Sequence, residues 1–305
     1  MKNLIPLMRR EWLQHRFAWS LLMLIPLALA VLLLGVGQVE FDGAMARHSG
    51  AELAVMLASV CIVATAGVIF LLVWTTSMFI ASALPRRDHA DRSVEFWLSL
   101  PTGHAESLAA PLIVHLLLVP AAALVVGLLG GYALSLVLVA RFVGFGEWLA
   151  LPWSSVLAGT LSVVARVIAG LPMATLWLGP LILLSMLANA MFRRWGLPVL
   201  VAGLGLGAVL LKAVFGQPLL SEVLAGLSSH AATSLMGASG EGLAINDQMP
   251  PLQALAGMTN WAAHDLLMAV RDLASPLFLG AMLVSAALFM ALVLWRQRGA
   301  GAASS

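Results

Sequence analysis

Residues 51–83 read AELAVMLASVCIVATAGVIFLLVWTTSMFIASA, and their composition decides the fold. Glu52 is the only charge in the run. A helix rises 1.5 Å per residue, and about 20 residues cross a hydrocarbon layer of ~30 Å. The stretch is therefore a transmembrane helix with residues to spare, and it must tilt or project beyond the bilayer. Its one thiol, Cys61, reads as a small packing residue.

Working outward, similar runs occupy 18–36, 107–139, 172–192, 196–214 and 276–294. Hydrophobic residues make up 61% of the 305-residue chain and charged residues 10%, against ~25% charged in a soluble domain. The expected fold class is an all-α integral membrane protein. It would be a six-transmembrane-helix bundle with an N-terminal interfacial amphipathic helix and a cytoplasmic coupling helix. A charged stretch at 9–16 precedes the first run, so that run should remain as a helix and not be cleaved as a signal peptide.

Residues 1–17 are expected to form the interfacial helix. Leu4, Leu7, Met8 and Trp12 make its apolar side, with Arg9, Arg10, Glu11, His15 and Arg16 on the polar side. Residues 18–295 form the transmembrane domain. Within it, 141–171 carry Glu147, Trp148, Trp153 and Arg166 and read as a helix on the outer interface, with a further partial or complete span as the alternative. Residues 215–275 read as an outer segment, and 296–305 as a disordered cytoplasmic tail. With both termini inside, eleven of the sixteen Lys and Arg residues face the cytoplasm, following the positive-inside bias.

Much chemistry is excluded. No GxxxxGK[ST] loop, HExxH or GxSxG occurs, and the single cysteine rules out CxxC sites. No metal ligands are expected, since no two histidines stand at i and i+4. The basic residues are spread over short loops, so no nucleic-acid partner is expected. The glycines of GLGLG, Gly203, Gly205 and Gly207, are expected to pack helices. His115 is the one polar ring expected within the membrane, where ionisable groups are functional candidates. No internal repeat of the secondary-transporter kind is visible.

The most polar stretch, 85–106, is PRRDHADRSVEFWLSLPTGHAE. Val94, Trp97 and Leu98 share one helical face, and Pro101 stops the helix. An exposed aromatic pair here implies a docking partner. The segment DRSVEFWLSLP at 91–101 resembles that of ABC-2 type transporter permeases, D/E-R-x-x-G-x-[LV]-E-x-L-x-[AS]-L-P. The match lies in Asp91-Arg92, Val94-Glu95 and Leu98-Ser99-Leu100-Pro101, and Arg10-Glu11 resembles the family's opening. Ser93 replaces the usual glycine, and Pro111 stands where members carry a lysine.

The resemblance implies a permease subunit, an exporter working as a dimer with a second permease, identical or paralogous. Two cytoplasmic ABC ATPase subunits would dock on Arg92, Glu95, Phe96, Trp97, Leu98 and Pro101. Arg9, Arg10, Glu11 and Trp12 would belong to the interfacial helix against membrane lipid. The chain would hold no cofactor and catalyse nothing itself, ATP and Mg being bound by the ATPase. The implied location is the bacterial inner membrane. Rival readings are an ATPase-independent transporter or channel, and a membrane assembly protein.

Overall fold

The computed structural model describes residues 4–36, 49–90, 103–240 and 250–303. Among the described residues there is no strand. Helix α1 covers Leu4–Val36, α2 Gly50–Ala90, and α3 His104–Ile113. A π-helical turn, Val114–Leu118, leads into α4, Val119–Phe142. Short α5, Phe145–Leu149, precedes α6, Trp153–Trp177, and α7, Gly179–Phe192. A 3-10 turn at Arg193–Trp195 starts α8, Gly196–Phe215. The chain ends with α9, Leu219–Leu235, α10, Pro251–Asp272, and α11, Pro276–Ala303.

Six helical stretches are long and apolar enough to cross a membrane: Leu4–Val36, Gly50–Pro85, Ala105–Phe142, Trp153–Trp177, Gly179–Phe215 and Pro276–Gln297. The protein is a multi-pass all-α membrane protein. Several boundaries differ from those read in the sequence. Residues 1–17 were expected as a separate interfacial helix, yet α1 runs unbroken from Leu4 to Val36. No proline or glycine stands at 17–18 to interrupt it.

Residues 141–171 are not one interfacial helix. They divide into the end of α4, short α5 and most of α6, whose 25 residues are apolar enough to span. The region 215–275 contributes two further helices, α9 and α10. The expected disordered tail continues α11 as helix to Ala303, because Ala and single Gly residues leave the backbone bonding unbroken.

The centre of the bundle is the antiparallel pair α2 and α4. Gly127 faces Ala66 and Gly131 faces Ile62, one turn apart along both helices. Small residues four apart let the two backbones touch, which is how helices associate where no water drives them together. By contrast Gly203 and Gly205 have open space beside them, and Gly207 meets only the Leu220 side chain. Among the described residues the GLGLG run is therefore not a packing seam within the chain.

α1 lies along α3 and α4. Its inward stripe is Leu4, Met8, Glu11, His15, Trp19 and Met23, with Leu27 further along over Gly130. Trp19 and Met23 join Ile69, Val73, Val114, Val119 and Ala123 in one apolar cluster. Pro111 and Pro120 flank the π turn, and the Val119 N–H donates to the Val114 carbonyl five residues back. Pro120 has no N–H to give, so the regular ladder is broken there in any case.

At Arg193 the backbone takes φ 54, the one positive value outside glycine among the described residues. The chain folds back so tightly that a Cβ on Gly196 would lie 2.5 Å from the Asn189 Cα. Gly196 is the only buried residue of α8; Val199, Val201, Leu206, Val209 and Val214 all face outward. Such a surface is stable only against lipid or protein.

Candidate functional sites: two buried polar centres

The first centre forms where α1 crosses the π turn. His115 is fully buried and Glu11 is 3% exposed. His115 Nε2 lies 3.6 Å from Glu11 Oε2. The His15 ring meets the His115 ring edge-on at 5.4 Å between centroids, and Trp19 closes another side at 5.8 Å. Among the described residues neither nitrogen of His115 has a hydrogen-bond partner. The ligand-capable atoms of Glu11, His15 and His115 all lie within 4.8 Å of one another.

The sequence reading placed Glu11 and His15 on a polar outer face with Trp12 on the apolar side. The structure reverses this. Glu11 points inward and His15 is half-buried, whereas Trp12, Arg9 and Arg16 are exposed and Arg10 is half-buried. The 4-8-11-15-19-23 spacing was the available signal, since those positions fall on one helical face. In a membrane the outward face meets lipid, so polarity alone does not tell inside from outside.

The second centre ties α6 to α9 and α10. Arg166 Nε donates to Asp265 Oδ2 at 2.8 Å, and its Nη2 lies 2.8 Å from the same oxygen. Nη1 donates to the Ser234 carbonyl at 2.8 Å. Asp265 also accepts from the Gly237 and Ser239 backbone N–H groups, at 3.1 and 2.7 Å. Gly237 has φ 97, a conformation that favours glycine and aims its N–H at the carboxylate. Burial pushes the Asp265 carboxyl up, but the Ser239 and Gly237 donors and the Arg166 charge outweigh it and hold the group below its ordinary value. Gly170 sits directly under the Ser234 carbonyl, leaving no room for a side chain.

Nearby, His230 stacks on Trp177 at 4.5 Å, with Nδ1 3.6 Å from Asp272 Oδ2. Arg166 and Asp265 are met by each other and by backbone groups, so the arrangement serves as a clasp between helices. Sequence reasoning had placed Arg166 and Asp265 in separate outer segments, 99 residues apart.

An apolar cavity of about 400 Å³ lies beside the π turn, lined by Leu112, Leu116, Ile182, Met282 and Phe289. Thr175 and Ser285 are its only polar side chains, and Thr175 donates to the Leu171 carbonyl of its own helix. The docking residues expected from the sequence, Arg92, Glu95, Phe96, Trp97, Leu98 and Pro101, lie outside the described residues. Lys212 is exposed near the end of α8.

No protein-family model, curated protein or solved structure matches the chain. The fold and its buried centres define a class, the multi-pass helical membrane proteins.

Proposed function

We propose that this chain is the membrane permease subunit of an ABC-2 type exporter. Two permeases, identical or paralogous, would form the pathway above two cytoplasmic ATPase subunits that supply ATP hydrolysis. The chain would lie in the bacterial inner membrane with both termini in the cytoplasm.

The observation that carries the reading is what residues 91–102 connect. They join α2 to α3, and α2 and α4 are backbone-to-backbone partners through Gly127 and Gly131. α2 spans 41 residues, about 60 Å, and the α3–α4 stretch 38 residues, about 57 Å. Both are near twice the hydrocarbon thickness. Asn189 on α7 donates to the Ser82 carbonyl near the same end of α2, at 3.0 Å. A push on the 91–102 segment would thus act on long, mutually locked levers. The apolar cavity between α3, α6, α7 and α11 fits an apolar or amphipathic cargo.

An ATPase-independent transporter is the second reading. Buried Glu11 and His115, with half-buried His15, favour it, because ionisable groups inside a bundle often mark an ion or proton path.

The deciding experiment is affinity purification of the tagged chain from native membranes in mild detergent, beside a Glu95→Arg/Trp97→Ala variant. Recovery of a Walker-motif ATPase with the parent chain, and its loss from the variant, is the expected result. Absence of any ATPase from the parent sample would remove the permease reading and leave the second one.

A further inference from the structure

We propose that Glu11, His15 and His115 bind a divalent transition-metal ion of the zinc class at the crossing of α1 and the π turn. The inference stands independently of the permease reading, since it uses none of the 91–102 residues.

The donor set is chemically apt. Two imidazoles and one carboxylate are ligands that zinc accepts in sites with an open fourth position. Tetrahedral zinc with bonds of about 2.1 Å holds its ligand atoms about 3.4 Å apart. The Glu11–His115 edge is 3.6 Å, and every edge is within 4.8 Å.

His115 supplies the independent observation. It is 0% exposed, and among the described residues neither ring nitrogen has a hydrogen-bond partner. Buried polar groups are almost always hydrogen-bonded, so a buried imidazole without such a bond, its Nε2 3.6 Å from Glu11 Oε2, points to something that completes the space between Glu11, His15 and His115. The π turn that carries His115 is itself a departure of the kind that collects at functional sites.

Charge and access agree. Arg9 and Arg16 are exposed and Arg10 is half-buried. Glu11 offers one negative charge to a dication, and each imidazole offers a ring nitrogen. Trp19 and the neighbouring apolar cluster wall off the inner side. Half-buried His15 marks the open side, where water or a carried group would complete the coordination. An ion here would pin α1 to the α3–α4 helix.

The test uses full-length protein in detergent, without a polyhistidine tag, stripped by chelator and titrated with Co(II) and then Zn(II). Expected are the visible bands of four-coordinate Co(II), their displacement by one Zn(II) per chain, and loss of both in His115→Ala. Glu11→Gln keeps the side-chain volume and guards against misfolding of the histidine variant. It should weaken Zn(II) binding by at least about 10- to 100-fold, the loss that disturbing even an outer partner of a ligand brings. His264→Ala alters an exposed histidine and should bind like the parent. Co(II) bands that never appear, or Zn(II) binding that survives in both well-folded His115→Ala and Glu11→Gln, would overturn the assignment.

Discussion

Gly131 lies so close to Ile62 that a Cβ added to it would stand 2.7 Å from the Ile62 Cα and 2.8 Å from its carbonyl oxygen. The obstacle is backbone, which cannot rotate away, and Gly127 repeats the contact on Ala66. α2 and α4 are held together by this contact surface, in a solvent where dispersion and close fit replace the hydrophobic effect.

Gly131→Val should therefore force the helices apart and destabilise the fold by about 1–3 kcal/mol, the usual cost of overpacking. Gly203→Ala faces open space and should be neutral or slightly stabilising, as Ala is the better helix former. Thermal unfolding in detergent, followed by circular dichroism, compares the two. Equal behaviour of the variants would contradict the packing account.

The Arg166–Asp265 pair makes a second prediction. Both side chains are fully buried, so removing one partner strands the other's charge. Asp265→Ala should cost about 3–5 kcal/mol, whereas an Arg166→Met/Asp265→Leu double variant should recover most of that loss. Unfolding of the single and double variants under one denaturant series measures both.

The same carboxylate sets a pH dependence. Its folded pKa lies below the unfolded value of about 3.9, so its contribution to stability is complete above that pH. It is lost as pH falls through the folded value, because the unfolded chain then binds the proton more readily. Melting temperature should hold from neutral to about pH 5 on this account and fall below about pH 4. Asp265→Asn should flatten the acid limb; an unchanged limb would assign it to other carboxylates.

α8 supplies a test of the membrane path. Leu206 is 63% exposed midway along a helix with one buried residue. Leu206→Arg should raise the apparent cost of inserting Gly196–Phe215 by about 3 kcal/mol in a glycosylation-mapping assay. No change would mean that this helix is not lipid-facing.

Composition and run length made the class legible, because a long apolar helix has few stable places other than a bilayer. The glycine seam was misplaced. GLGLG and Gly127/Gly131 are alike as letters, and only the position of α2 beside α4 shows which pair meets a backbone. The polar face of α1 was misread for a related reason. In water a polar stripe faces solvent, whereas in lipid it turns inward to Glu11, His15 and their partner.

The sequence by itself determined that the chain is a multi-pass helical membrane protein, since transfer free energy depends on local composition and length. It also marked His115 as a buried polar ring. The tertiary structure alone decided the company that ring keeps. Glu11 and His15 come from a helix about 100 residues away, and Arg166 and Asp265 are 99 residues apart. Such pairings depend on how the helices cross. Crossings are set by many weak side-chain fits distributed over the whole bundle, and these leave no periodic trace in any one segment.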